Sequence, residues 1–264
     1  MVFPQKARQR GFTLIELVVV IVLMSIISLA GIESIRFTAE AYGKMSGRQT
    51  LGNSARVAID RMSREIRQAL PTSARVSGDC IEFIPINAAG RYLDLPVEAS
   101  SNTFKAVPLN PGQSSTTGAV AVYPVVSNVY DSSSKLLSAS ASVGAPDIDN
   151  EVTVTMSRPH QFPYHSPNQR FFLVGSPVSY CIDGDNLFRY KNYGVNVTQP
   201  GTADLPGGLP DRALLVNQVG NSVTPFTVVG SSLQRNAMVR IDLSFDADGE
   251  AVKIVHEAQL RNVP

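Results

Sequence analysis

One acidic side chain, Glu16, lies inside an apolar stretch, and this unusual environment makes it the strongest candidate for a functional residue. From Phe12 to Ile32 it is the only ionisable side chain. A carboxylate at the centre of a bilayer costs about 3 kcal/mol on insertion scales, so an acid there indicates a functional site with a partner. No Lys, Arg or His lies between Phe12 and Ile35. Glu16 is therefore neutral, or it takes a cation from another chain or from a new amino terminus.

Hydrolysis of the Gly11–Phe12 peptide bond would supply such a terminus. The new Phe12 amine would lie one helical turn from Glu16, where an acid also complements the helix dipole. In an array of parallel helices, Glu16 of one subunit could reach the Phe12 amine of its neighbour. Head-to-tail contacts that do not close into a ring produce a helical filament. The alternative interpretation is a plain signal anchor with an incidental acid.

The element that positions these groups is a predicted membrane helix. The 21 residues from Phe12 to Ile32 would form a helix of about 31 Å, enough to cross a bilayer core. Three cations precede this run (Lys6, Arg8 and Arg10) and a long polar region follows it, which predicts a cytoplasmic N-terminus and a translocated C-terminus. An ordinary secretory signal is disfavoured, because the apolar run is too long and no clear A-x-A site follows it.

The segment GFTLIEL, from Gly11 to Leu17, follows a short basic leader and opens the apolar run. It resembles the class III signal of type IV pilins and type II secretion pseudopilins. The resemblance implies cleavage after Gly11 by a prepilin peptidase, methylation of the Phe12 amine and the Glu16 contact. It also implies three kinds of partner: major and minor pilins, the peptidase, and an inner-membrane assembly platform. For such a bacterial protein the translocated side is the periplasm. We expect the helix-packing surface to comprise Leu14, Ile15, Leu17 and Val18.

Length and charge are compatible with one sizeable domain behind the helix. The formal charge of +1 becomes −2 when the three leader cations are removed, and no basic patch indicates a nucleic-acid partner. We predict four segments: a cleaved leader at 1–11, a membrane helix at 12–32, an amphipathic stalk helix at 33–70, and a β-rich periplasmic domain at 71–264. A Ser/Pro/Gly-rich insertion is expected at about 99–150 within that domain.

The predicted fold class is α+β, with a long N-terminal helix packed on an antiparallel sheet. Apolar residues continue at helical spacing to Leu70, and Pro71 stops the helix. We expect the helix to loosen around Gly43, Gly47 and Gly52.

Downstream, alternating and β-branched runs predict strands. A strand at 80–84 could pair with one at 91–95 around a turn at 87–90. Between 99 and 150 we expect a single strand, at 119–123, with 114–118 and 132–142 as loops. Further strands are predicted at 151–156, 171–174, 178–182, 187–190, 214–216, 226–229, 239–245 and 251–259. Asp-Gly turns join two of these pairs into hairpins.

The first of these hairpins carries a second resemblance. Tyr180 and Arg189 match the Y-x(8)-R strand pair of J-type, or PilW-like, minor pseudopilins. Together with the segment from Cys80 to Pro85 and the terminal Arg261–Pro264, the pattern is similar to biogenesis proteins of the MSHA pilus. This match does not separate pilus systems from secretion systems.

Two cysteines, Cys80 and Cys181, fall in the translocated part. An even count in an oxidising compartment predicts a disulfide, and the alternative is two buried thiols. A metal site is disfavoured, because neither cysteine has a nearby His or second Cys.

Two acidic turns are weak calcium candidates: Asp183 with Asp185, and Asp246 with Asp248. Neither matches a full calcium loop, and Asp-Gly turns explain both. We expect no metal, no cofactor and no enzymatic activity, since no catalytic arrangement with usable spacing is present.

The two resemblances together imply a minor pilin-like subunit that inserts into a pilus or pseudopilus, and we expect it in an initiating tip complex. The alternatives are a type II secretion pseudopilin, a membrane-anchored periplasmic enzyme, and a tip adhesin. The adhesin would bind a surface or glycan through the 99–172 region, which includes His160 and His165.

Overall fold

The structure is a computed structural model that describes residues 11–109, 117–124, 128–220, 222–230, 236–247 and 249–260. The leader cations, Asp248 and the terminal residues 261–264 lie outside these ranges. The chain divides into two compact units, one ending at Gln49 and one starting at Thr50. The four-segment division proposed above stays a prediction. The described elements are α1 (Leu14–Arg67), β1 (Arg75–Ser77), β2 (Cys80–Phe83), β3 (Ile86–Arg91), β4 (Ser101–Ala106), β5 (Thr117–Ala121), β6 (Leu137–Val143), β7 (Val152–His160), β8 (Arg170–Val174), β9 (Val178–Asp183), β10 (Asn186–Tyr190), β11 (Arg212–Asn217), β12 (Phe226–Val229), β13 (Met238–Ala247) and β14 (Glu250–Gln259).

Helix α1 runs without interruption through all three glycines at which loosening was expected. That expectation was wrong. An isolated glycine costs a helix about 1 kcal/mol relative to alanine, which the long uninterrupted hydrogen-bond ladder on either side outweighs. The helix ends at Arg67, a few residues before Pro71, with Arg64 and Arg67 in its last turn, where cations favour the helix dipole.

The second unit is built around the C-terminal part of α1. Leu51, Ala55, Ile59, Met62 and Ile66 recur at helical spacing and are all buried. They share one core with residues of a five-stranded sheet, ordered β1-β2-β9-β10-β11, and of a three-stranded sheet, ordered β12-β13-β14. Every strand pair is antiparallel, so the predicted α+β class is confirmed.

A third sheet of six strands, ordered β3-β8-β5-β6-β7-β4, has a core of its own. Three of its strands, β4, β5 and β6, fall between 99 and 150, so the expectation of one strand there was wrong. Strand β6 has the sequence LSASASV, which composition alone suggested was a loop. The buried Ser138 explains it, because its hydroxyl accepts from Val120 N–H and donates to Ala139 O. A buried hydroxyl with both bonds satisfied is tolerated in a sheet.

The predicted hairpin between 80–84 and 91–95 was also wrong. Residues 86–91 form β3 and pair with β8, so the supposed turn is itself a strand. Gly90 misled the prediction: a Cβ there would lie 2.7 Å from Phe171 Cε1. This glycine permits close approach of a neighbouring side chain and does not mark a turn.

The two Asp-Gly hairpins are confirmed. Strands β9 and β10 pair from Asp183–Asn186 outward, and β13 pairs with β14 over ten residues from Ala247–Glu250 outward.

Candidate functional site

Glu16 lies at the start of α1 and belongs to a capping arrangement with Thr13. The Glu16 N–H donates to Thr13 Oγ1 at 3.4 Å. In return, the Thr13 N–H and hydroxyl donate to Glu16 Oε2 at 3.2 and 3.3 Å. This reciprocal pattern is the capping box, with Thr13 as N-cap and Glu16 three residues later. The carboxylate therefore has neutral partners within its own helix.

The prediction of a partner for Glu16 considered only cations and missed this role of Thr13. The signal was present: Thr13-Leu14-Ile15-Glu16 is a Thr-x-x-Glu sequence in front of an apolar run, which is the signature of a helix N-terminus.

The predicted packing surface is fully available in the isolated chain. Phe12 and Leu14 are each 82% exposed, and every described side chain from Gly11 to Gln49 is exposed. Among the described residues, α1 is the one helix long and apolar enough to cross a membrane. The Ser25 hydroxyl donates to Ile21 O at 2.8 Å, so this polar group is satisfied within the helix as a lipid environment requires. The other members of the surface, also exposed, are Ile15, Leu17 and Val18.

Comparison with known protein families gives one match, to the family described as the prokaryotic N-terminal methylation motif, over residues 6–32. The chain carries a prokaryotic N-terminal methylation motif. The match spans about a tenth of the 264 residues and includes Gly11, Phe12 and Glu16. No curated protein and no solved structure matches the chain.

The methylation motif indicates a protein of the type IV pilin or pseudopilin kind. In general such a motif implies processing by a prepilin peptidase, assembly with other pilins and anchorage in the inner membrane. The match therefore supports the predicted N-terminal signal. The assignment to a particular class of minor subunit stays a prediction.

In the second unit, the two residues of the Y-x(8)-R pattern lie directly opposite each other in the β9–β10 hairpin. The Arg189 Nε donates to both carboxylate oxygens of Glu65, at 2.9 and 3.2 Å. Glu65 belongs to α1, so this ion pair fastens the end of the helix to the sheet. Burial, together with the nearby Glu65 carboxylate, raises the pKa of Tyr180 well above its ordinary value.

Cys80 and Cys181 form a disulfide with an S–S distance of 2.06 Å. They are direct partners in the β2–β9 register, and both are buried. Leu205, in the segment after β10, packs with the two cysteines, and Gln199 Nε2 of the same segment donates to Cys80 O at 3.0 Å. The disulfide therefore joins two adjacent strands and packs against a segment that is hydrogen-bonded to one of them.

A buried carboxylate, Glu82, organises the same region. It accepts hydrogen bonds from Arg75 Nε and from the Tyr193 hydroxyl, the latter at 3.0 Å. The Arg75 guanidinium also donates to Val197 O and lies 3.5 Å from the centre of the Tyr130 ring. Burial raises the pKa values of Tyr130 and Tyr193, and the Glu82 charge adds to both shifts. Arg75 lies opposite Glu82 in the β1–β2 pair, but no local pattern in the sequence predicts the whole network, because Tyr130 and Tyr193 are distant from both residues along the chain.

The structure describes three of the four aspartates proposed as weak calcium ligands, and these three belong to no cluster of metal-ligating side chains. Asp183 pairs with Arg212 Nη2 at 2.7 Å, and Gly184 beside Asp185 has a left-handed φ of +59°, as a turn requires. Asp246 packs against Gly220, and Asp248 lies outside the described residues. Across the described parts of the chain, no group of three His, Cys, Asp or Glu side chains is close enough to hold a metal ion.

The two histidines of the 99–172 region contribute to loop packing. His160 Nε2 lies 2.9 Å from Lys135 O, and its ring packs edge-on against Phe162. His165 Nδ1 lies 3.4 Å from the hydroxyl of the buried Tyr92. Each ring thus has contacts that hold the loop after β7 against the six-stranded sheet.

Proposed function

We propose that this chain is a minor subunit of a type IV pilus of the MSHA type, and that it acts in the complex that initiates the fibre. We propose a structural role and no enzymatic one. The single observation that carries this proposal is the methylation motif, whose acid stands at the exposed N-terminus of an apolar helix. The resemblance of the Tyr180–Arg189 pair to minor subunits supports the finer assignment.

The mechanism follows from the geometry around Glu16. Hydrolysis of the Gly11–Phe12 bond leaves an amine one residue before Thr13. In the unassembled subunit, the Glu16 carboxylate is held by Thr13 at distances of 3.2 and 3.3 Å, which are long for bonds to a charged group. A neighbour's methylated amine would give a shorter, charge-assisted bond. Assembly would exchange weak local bonds for a stronger contact between subunits.

The topology is part of the proposal. With the leader in the cytoplasm, the second unit would reach the periplasm. Disulfides persist in that oxidising compartment, in agreement with the Cys80–Cys181 bridge.

Substitution of Glu16 tests the mechanism. We expect Glu16→Ala to be cleaved and methylated normally but to be absent from fibres, as measured by intact mass and by immunoblotting of sheared pili. Glu16→Gln separates the loss of charge from the loss of the helix cap. Its amide can retain the capping geometry but lacks the charge, so we expect this variant also to be absent from fibres. Normal incorporation of either variant would remove the charged contact from the mechanism.

The six-stranded sheet favours a second candidate function, that of a tip adhesin. This sheet has its own core, as expected for an added recognition element. Its two ends are adjacent, because Gly175 N–H donates to Pro85 O at 2.9 Å. A short turn can therefore bridge residues 85 and 175, whereas deletion of 99–172 would leave β3 without its partner. Deletion of 86–174 also removes Tyr130 from the Arg75 guanidinium and uncovers Leu70 and Ile84, so circular dichroism must first show that the shortened chain folds. An adhesin lacking 86–174 would still form fibres but would lose attachment.

A further inference from the structure

The peptide bond that processing must open lies just outside helix α1. The helix begins at Leu14, and residues 11–13 are not helical. Phe12 is 82% exposed, and a Cβ built on Gly11 would meet no heavy atom within 4 Å. Within the described residues, no backbone group bonds to the backbone of Gly11 or Phe12. Access to the Gly11–Phe12 bond therefore depends on where the helix begins.

The Thr13 hydroxyl determines that start. Its oxygen accepts from the Glu16 N–H at 3.4 Å, and the Thr13 carbonyl accepts from the Leu17 N–H at 3.3 Å. In a longer helix, the Glu16 N–H would donate to the Phe12 carbonyl, four residues earlier. The hydroxyl takes the place of that carbonyl, as an N-cap side chain does. It thereby keeps Phe12 out of the helix.

The leader by itself would favour a longer helix. Residues 6–10 have the sequence KARQR, and all five belong to the strongest helix formers. Gly11 is a weak stop, because α1 runs without interruption through Gly43, Gly47 and Gly52. An uncapped N–H at a membrane surface needs a new partner, and the leader carbonyls are the nearest acceptors along the chain. The cap at Thr13 is therefore what separates the leader from the helix.

A peptide bond inside a helix is a poor substrate for hydrolysis. Its N–H and carbonyl groups are hydrogen-bonded within the helix, so an enzyme that binds the backbone on either side must first open the turn. A segment outside the helix offers the same groups directly to a binding cleft. Residues 11–13 are of this second kind.

We propose that Thr13 is a positioning residue for processing: by capping α1, it keeps the Gly11–Phe12 bond outside the helix, where the peptidase can bind it. The reaction is a hydrolysis, in which water adds to the Gly11 carbonyl carbon and the C–N bond breaks. The products are a Gly11 carboxylate and the Phe12 amine, and Thr13 takes no part in the bond breaking. The Glu16 side chain is not required, because the capped N–H belongs to the backbone. This inference rests on the proposed function, which includes the hydrolysis.

Three substitutions of Thr13 separate capping from recognition of the side-chain shape. Thr13→Val keeps the shape but lacks an acceptor, whereas Thr13→Ser and Thr13→Asn change the shape and keep a capping acceptor. The full-length chain in detergent is incubated with prepilin peptidase, and loss of the leader is followed by intact mass. We expect kcat/KM to fall about fivefold for Thr13→Val, which corresponds to the loss of about 1 kcal/mol of an N-cap. The other two variants should stay within about twofold of the wild type.

Hydrogen exchange of the same variants shows whether the start of the helix has moved. In a longer helix, the Leu14 and Ile15 amides would gain the carbonyls of Arg10 and Gly11 as partners, so we expect slower exchange of both amides in Thr13→Val. Cleavage of Thr13→Val at the wild-type rate, or slow cleavage of Thr13→Asn, would overturn the proposal. Slow cleavage of Thr13→Val with unchanged exchange would also overturn it, because the peptidase would then bind the hydroxyl directly.

The wild-type chain distinguishes failure of this inference from failure of the proposed function. If the peptidase does not cut between Gly11 and Phe12, the processing step fails and this inference fails with it. If the wild type is cut there and enters fibres, but Thr13→Val is cut equally fast, only the role of Thr13 fails. If the variants show the expected order but the processed chain stays out of fibres, the proposed function fails and the role of Thr13 remains.

Discussion

Removing the charge of Glu82 should destabilise the second unit far more than removing a comparable surface charge. The Glu82 side chain is fully buried, and Arg75, its partner, is 20% exposed. In Glu82→Gln, the amide oxygen can still face Arg75, and the Tyr193 hydroxyl can donate to Ser179 Oγ, 2.7 Å away, so the main loss is the negative charge beside the Arg75 guanidinium. Breaking a fully buried ion pair costs about 3–5 kcal/mol. Arg75 keeps its bonds to the carbonyls of Asn196 and Val197, so we expect a loss of about 2–3 kcal/mol.

Glu151→Gln is the control for this prediction. Glu151 pairs with Lys105 at 2.6 Å, but their side chains are 29% and 51% exposed. Exposed pairs contribute at most about 1 kcal/mol. At about 2–4 °C per kcal/mol for a unit of this size, Glu82→Gln should lower the melting temperature by about 4–12 °C. Circular dichroism of the full-length protein in detergent measures both variants, and equal shifts would refute the assignment of Glu82 as a buried organising charge.

Two further predictions concern the same unit. Replacing Cys80 and Cys181 with alanine opens a loop with a sequence separation of 101, for which the chain-entropy model gives a loss of up to about 4.7 kcal/mol. Chemical denaturation with and without reductant should show this difference in the wild type and none in the double variant. Burial raises the pKa values of Tyr130, Tyr180 and Tyr193 above 10.0, so their contribution is fully present below pH 10 and is lost as pH rises further. At pH 11 the free energy of unfolding should fall by up to about 1.4 kcal/mol per tyrosine, and Tyr130→Phe should reduce that loss by one such increment in alkaline melting curves.

Local patterns in the sequence predicted what depends on neighbouring residues. The stripe of Ile59, Met62 and Ile66 indicated the buried face of α1, and Asp-Gly turns indicated both hairpins. These features follow from helical spacing and turn chemistry, which act over a few residues.

The failures have a common physical origin in contacts between distant residues. Gly90 resembles a turn glycine until Phe171 is placed beside it. Ser138 resembles a loop residue until Val120 supplies its donor. The Glu82 network and the division into three sheets also depend on pairings across many residues. The local exception is Thr13, whose capping role is readable from the Thr-x-x-Glu spacing alone.

The adjacency of Pro85 and Gly175 has a consequence for protein engineering. A domain inserted between two backbone positions that are already hydrogen-bonded to each other requires little rearrangement of the rest of the second unit. Foreign domains with neighbouring termini, such as an epitope carrier or a fluorescent barrel, can occupy the same position. If the chain is a fibre subunit, as we propose, this position offers a defined attachment point for displaying chosen cargo on that fibre.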